Sequence, residues 1–265
     1  MIGVLGKMSS PEARLRPDHP PEMHHAVAAD GTPIAFDLYP SSGRTGVLIV
    51  PGFWRTRRYA TLQSIATRIA SEMAPCAVMD LRGHGDSGGT FEFDRFEHLD
   101  VIAVSRMLLD VASLDGLLLL GLSSGGAIAI STAALHRGMG ISALLLVSPV
   151  GEFTRVIPRL NPFTFHRHLS FGEAIKKPRF RWPGDDRRCP LDDARGLTLP
   201  ICLIHARNDW LVSHHHSEAI AQRAGNAALH ILDVPGRYHA DRLFDVAAET
   251  TWAIVREFIG RFTGQ

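Results

Sequence analysis

An α/β fold with a mostly parallel sheet, covered by helices on both faces, is the class predicted for this chain of 265 residues. Three observations carry the prediction. Short apolar runs of strand character alternate with stretches whose apolar residues recur at helical spacing. The run Leu117-Leu118-Leu119-Leu120 is apolar throughout, as a strand buried on both faces is. A glycine-rich turn, Gly121-Leu122-Ser123-Ser124-Gly125-Gly126, comes directly after it and leads into a small-residue segment of helical character.

Eight strands are expected, at 25–29, 34–39, 46–50, 76–80, 117–121, 143–148, 201–205 and 229–234. Asp30-Gly31 between the first two is a hairpin turn signal. Helices are expected between the later strands. Over 59–73, Tyr59, Leu62, Ile65, Ala66, Ile69, Ala70 and Met73 fall on one helical face; Phe244, Ala247, Thr251, Ile254, Val255, Phe258 and Phe262 do the same near the end. Residues 1–22, with Pro11, Pro17, Pro20 and Pro21, read as a loose leader. The core is then 23–149 and 198–265. Between its two parts, 150–197 is rich in proline, aromatic and charged residues and too long for a simple connection, so it reads as an inserted lid.

The turn after the fifth strand raises a chemical question, because either serine could serve as a nucleophile. A nucleophile on a tight strand-to-helix turn adopts strained backbone angles, and the residues two before and two after it must be small. Ser123 has Gly121 and Gly125 at those places, whereas Ser124 would have Leu122 and Gly126. The register therefore selects Ser123. A serine nucleophile needs a base and an acid that orients the base. Asp209 comes after the strand at 201–205, His239 after the last strand, and the order Ser, Asp, His suits such a sheet. Glu152 is a reserve acid. The backbone N–H of Ser124, at a helix start, and that of Phe53, beside Gly52, are the expected oxyanion donors.

Composition excludes several functions. Lys and Arg number 28 against 27 Asp and Glu, a net charge of +1, so no global field draws the chain to nucleic acid. The basic and aromatic stretch from Lys176 to Trp182 reads as a solvated lid face. No run is long and apolar enough to span a membrane. Cys76, Cys189 and Cys202 show no zinc spacing and fit reduced thiols, hence a cytoplasmic protein. The neighbours in His214-His215-His216 do not share a helical face, so no designed metal site is expected there. No metal or organic cofactor is expected.

Pro51-Gly52-Phe53, Asp80-Leu81-Arg82-Gly83-His84-Gly85-Asp86-Ser87, Gly121-Leu122-Ser123-Ser124-Gly125, Asn208-Asp209 and Gly236-Arg237-Tyr238-His239 together make the chain resemble the α/β-hydrolase superfamily from about His25 to Phe262. The stretch Leu81-Arg82-Gly83-His84-Gly85-Asp86-Ser87-Gly88-Gly89-Thr90-Phe91-Glu92 also looks like the cinnamoyl and feruloyl esterase branch. Two departures separate it from that branch: Leu122 stands where a histidine is frequent, and the oxyanion loop begins Pro51-Gly52 rather than His-Gly. The resemblance implies the α/β-hydrolase fold and a serine hydrolase acting on a small-molecule carboxylic ester or thioester. The alternatives are an acyltransferase or a carbon–carbon bond hydrolase with the same residues, or a non-catalytic binding protein on the same fold. It also implies that the loop holding His84 and Asp86 is structural. Trp54, Arg55, Phe153 and Phe163 are expected to line the substrate pocket, with Phe165, Phe171, Phe180 and Trp182 as further lid aromatics. Arg55, Arg57 and Arg58 raise a further question: three cations ahead of a helix oppose its dipole and need compensation, from the protein or from an anionic substrate group. Oligomeric state is not legible.

Overall fold

The computed structural model describes residues 20–157, 178–182 and 188–264. Eight strands form one sheet in the order β1-β2-β4-β3-β5-β6-β7-β8. They are β1 (Glu22–Val27), β2 (Pro33–Tyr39), β3 (Thr45–Val50), β4 (Cys76–Met79), β5 (Gly116–Leu122), β6 (Ile141–Val147), β7 (Ile201–Ala206) and β8 (Ala227–Leu232). β1 pairs antiparallel with β2, and β2 antiparallel with β4. From β4 onward every neighbour is parallel. The expected eight-stranded, mostly parallel sheet is therefore present.

The expected strands shift at the sheet margins. β1 begins three residues earlier than expected, and β8 lies two residues toward the N-terminus of its expected place. Both are edge strands with mixed burial, so their side chains carry a weak apolar pattern. The hairpin at Asp30-Gly31 forms as expected; Gly31 has φ +84° and donates its N–H to the Ala28 carbonyl.

Helices cover both faces. On one side lie α2 (Glu97–Val111), α3 (Ser124–Leu135), the short α4 (Phe153–Val156) and α5 (Pro190–Ala194), and α6 (His215–Ala224); on the other lie α1 (Ala60–Glu72), the short α7 (Leu243–Val246) and α8 (Ala248–Thr263). The strand period of two divides the core accordingly. Leu117 and Leu119 of β5 pack toward α2 and α3, while Leu118, Leu120 and Leu122 pack toward α1 and α8. All seven residues of β5 are buried. Each such leucine contributes about 1.5–3 kcal/mol of apolar burial, so the central strands give firm support to the loops at their ends. The last helix is interrupted where the sequence predicts one continuous face: Ala247, at φ −128°, separates α7 from α8.

The loop between β3 and α1 is pinned from below. Arg57, 1% exposed, donates to Asp80 at 2.7 Å, Asp37 at 2.9 Å and Asp86 at 2.9 Å. Arg58 pairs with Asp86 at 3.0 Å. Protein carboxylates thus offset the cations that stand ahead of α1. Phe163, Phe165, Phe171, Lys176 and Lys177 lie outside the described residues, as does much of the expected lid at 150–197.

Candidate active site

Parallel strands end at one edge of a sheet, so the connections after β3, β5, β7 and β8 gather there. The register pairs Val50 with Gly121, Leu122 with Val147 and Ala206 with Leu232, so these strands run out nearly level.

Ser123 stands between β5 and α3 with φ +55° and ψ −119°. A non-glycine residue at such an angle is strained, and the surroundings hold it there. Its N–H donates to the Val147 carbonyl at 3.0 Å. A Cβ on Gly121 would stand 2.6 Å from the Gly126 Cα, and one on Gly125 would stand 2.1 Å from the Val50 carbonyl oxygen. Both flanking glycines are thus obligatory for the turn, as the register argument requires.

The three residues singled out by sequence meet. His239 Nε2 lies 2.8 Å from Ser123 Oγ, and His239 Nδ1 lies 2.7 Å from Asp209 Oδ2. The Asp209 side chain is fully buried and that of His239 is 12% exposed. The other carboxylate oxygen, Oδ1, accepts the N–H groups of Leu211 at 2.9 Å and Val212 at 3.0 Å, which fixes the carboxylate plane. Burial alone would raise the Asp209 carboxyl, but His239 and His205 beside it outweigh that and hold it well below the usual carboxylate range. Glu152, the reserve acid, pairs instead with Arg155.

The two expected oxyanion donors differ in their surroundings. Ser124 opens α3, where the first N–H groups have no carbonyl of their own helix to bind. The Phe53 N–H donates to Ser124 Oγ at 2.7 Å. One residue on, Trp54 at φ +72° donates its N–H to His84 Nε2 at 3.1 Å. His84 Nδ1 in turn donates to the Arg82 carbonyl at 3.0 Å. Burial pushes the His84 imidazole down to about 4, so it stays neutral and its Nε2 stays an acceptor.

A cavity of about 740 Å³, open solvent at its mouth included, lies over Ser123 and His239. Its apolar wall comes from Phe93, Val150, Phe153, Val156, Trp210 and Leu211; Phe53, Trp54 and Arg55 also line it. Of the residues expected to line a substrate pocket, Trp54, Arg55 and Phe153 border this cavity. Arg55 lies 3.6 Å from Asp241 and 4.2 Å from the centre of the Tyr59 ring. Behind the wall, Phe53 stacks on Phe91 at 5.3 Å, Phe180 meets Phe53 edge-on at 5.3 Å, and Trp182 stacks on Phe93 at 5.7 Å.

Residues 47–259 match the model of the alpha/beta hydrolase family. The chain belongs to that family. Among solved structures, this alpha/beta hydrolase is similar to an esterase of Pyrococcus furiosus, Pf2001, at 20% identity and a TM-score of 0.74 over 91% of this chain and 92% of that one. It is also similar to the esterase RhEst1 of a Rhodococcus species, at 18% identity and a TM-score of 0.69 over 90% and 98% of the two chains. A deformylase of Pseudomonas putida, Nfo, reaches 19% identity and a TM-score of 0.64 over 88% and 99%. At such identities the likeness is one of fold, and the same fold carries different substrates in these neighbours. A comparison with curated proteins finds no significant match.

Sequence reasoning misses four features of the site. The Ser124 hydroxyl drops from view once Ser123 is chosen, although a second hydroxyl at the elbow is itself a signal. His84 lies in a loop that reads as structural. Phe93 belongs to the alternation Phe91-Glu92-Phe93, a pattern able to mark it as a wall residue. His205 ends the β7 run; it lies 3.4 Å from Asp209, with Ser217 and the Val212 carbonyl on its two nitrogens. A polar side chain at the end of so apolar a strand marks a buried network.

Proposed function

We propose that this alpha/beta hydrolase is a serine hydrolase that cleaves a carboxylic ester or thioester of a small molecule. The observation that carries the reading is the unbroken hydrogen-bonded line from Asp209 through His239 to Ser123, set under an apolar cavity. His239 Nε2 removes the Ser123 proton as Oγ attacks the acyl carbonyl. Asp209 holds the Nδ1–H tautomer and stabilises the imidazolium that forms. The oxyanion develops against the N–H of Ser124, with the N–H of Phe53 as second donor once Ser124 Oγ turns away from it. The imidazolium then protonates the leaving alcohol or thiol. Water, activated by the same histidine, releases the acid and restores Ser123.

The apolar wall favours an apolar acyl or aryl group. Residues 150–197 serve as a cap in this reading, since Val150, Phe153 and Val156 contribute to the wall. All three cysteines are free, which supports a reducing, cytoplasmic setting. No helix among the described residues is long and apolar enough to cross a membrane.

The test is hydrolysis of short- and medium-chain p-nitrophenyl esters, methyl ferulate and acyl-coenzyme A thioesters by wild type and Ser123→Ala, beside labelling with a fluorophosphonate. Wild-type turnover and labelling, both abolished in Ser123→Ala, support the reading, and the preferred substrate names the acyl group. Equal activity in the two proteins, or a wild type that neither turns over nor labels, overturns it.

A further inference from the structure

Three side chains at the start of α6 bring their donor atoms together: one atom each of His214, His215 and Glu218 lies within 4.8 Å of the other two. His214 caps the helix, His215 opens it, and Glu218 lies one turn along. The sequence offers three successive histidines that share no face. In the structure His216 leaves the group, being buried and accepting the Gly151 N–H at 3.1 Å. Glu218 takes its place.

Hydrogen bonds set the state of these rings. His214 Nδ1 lies 3.0 Å from the Arg207 carbonyl oxygen. A carbonyl only accepts, so Nδ1 carries the hydrogen and Nε2 keeps its lone pair. That Nε2 lies 3.8 Å from Glu218 Oε1. A backbone carbonyl behind one imidazole nitrogen is the support that orients a histidine to bind a metal through the other. His215 Nδ1 lies 2.6 Å from Glu218 Oε2, and the two imidazole rings stand 4.3 Å apart at a tilt of 42°.

We propose that His214, His215 and Glu218 form a surface site for a zinc(II)-class cation, with water completing the coordination. Zinc binds imidazole nitrogen and carboxylate oxygen at about 2.0–2.2 Å, which places the donors of a tetrahedral site roughly 3.3 Å apart. The two histidine nitrogens lie 2.6 and 3.8 Å from the two Glu218 carboxylate oxygens, on either side of that value, and the three donor atoms lie within 4.8 Å of one another. Magnesium and calcium prefer all-oxygen sites and do not suit two imidazoles. Binding requires a lone pair on His215 Nδ1. The proton now shared with Glu218 moves to Nε2 or to buffer, and the His215 side chain, 72% exposed, is open to solvent for the exchange. Two features moderate the affinity. The helix N-terminus repels a cation. The Arg207 guanidinium is nearby, although it is paired with Asp233 at 2.5 Å.

An occupied site braces more than the helix. Because His214 holds the Arg207 carbonyl, the metal ties α6 to the loop from Arg207 to His214, which also contains Asp209. None of the three ligands lines the cavity over Ser123, so the ion takes no part in bond breaking there.

The test is isothermal titration of zinc chloride into the full chain, free of any histidine tag, alongside thermal melts with zinc or magnesium. Wild type is compared with His214→Ala and Glu218→Gln. Expected is saturable one-to-one zinc binding that raises Tm, weakened at least about ten-fold in each variant, with no response to magnesium. Glu218 is exposed enough that its replacement leaves the fold intact, as circular dichroism will confirm. Absence of zinc binding, or binding unchanged in both variants because other histidines take the metal, overturns the proposal.

Discussion

The backbone N–H of Phe53 donates to the hydroxyl of Ser124 at 2.7 Å, so the two residues expected to bind an oxyanion are bonded to each other at rest. If the Ser124 hydroxyl is only a placeholder that a substrate carbonyl displaces, Ser124→Ala keeps kcat within about ten-fold of wild type. If the hydroxyl is the working donor in place of the Phe53 amide, kcat falls about 100- to 1000-fold, as for the loss of any oxyanion donor. We expect the first result, read by steady-state kinetics on the best ester.

Asp209 offers a sharper test. Its carboxylate is fully buried, fixed by two amides and kept ionised by two histidines. Asp209→Asn keeps the shape but reverses the hydrogen-bonding demand on His239 Nδ1, turning Nε2 away from its role as acceptor. Expected is a fall in kcat of about 10⁴-fold with little change in KM. A loss of less than ten-fold would show that the acid is elsewhere.

Gly125 is predicted to be irreplaceable for a steric reason. A methyl group there meets the Val50 and Pro51 carbonyl oxygens at 2.1 and 2.4 Å, and backbone cannot swing aside as a side chain does. Gly125→Ala should lower stability by about 3 kcal/mol or more, seen in urea unfolding, and should displace the Phe53 loop and so depress kcat. An unchanged midpoint would contradict this packing.

Much of the site is legible in the sequence, and the reasons are physical. The triple of Ser123, Asp209 and His239 can be named because each comes after an apolar run that ends at the same sheet edge, and strand order fixes that edge. The central strands can be placed because burial on both faces leaves an uninterrupted apolar run. The edge strands β1 and β8 slide by two or three residues because half-solvated positions impose no such run. The Phe53–Ser124 bond and the convergence of Glu218 with His214 are not legible, because rotamers and helix starts decide them and neither has a sequence period. Phe163 remains outside the described residues.

His84 gives a prediction for pH. Burial lowers its imidazole from 6.5 to about 4, with the Arg82 carbonyl pulling back only in part. The folded value lies below the unfolded one, so the neutral ring stabilises the fold. That contribution is complete above the unfolded value and disappears as pH falls toward about 4. The stability gap between wild type and His84→Gln should therefore be largest near neutrality and shrink on acidification, by about 3 kcal/mol. Urea titrations at several pH values measure it. A gap independent of pH would mean that His84 does not carry the Trp54 amide in its neutral form.

The cavity wall and the proposed catalytic residues come from different parts of the chain. Ser123, Asp209 and His239 stand at the ends of strands buried in the sheet, while Phe93, Val150, Phe153 and Val156 sit on connections that cross above them. Substitution in those connections reshapes what enters without disturbing the supports beneath. On the proposed reading, a lineage built this way can exchange one substrate for another by a few changes in its loops, with its chemistry intact throughout, and a designer wishing to retarget this protein has the same freedom.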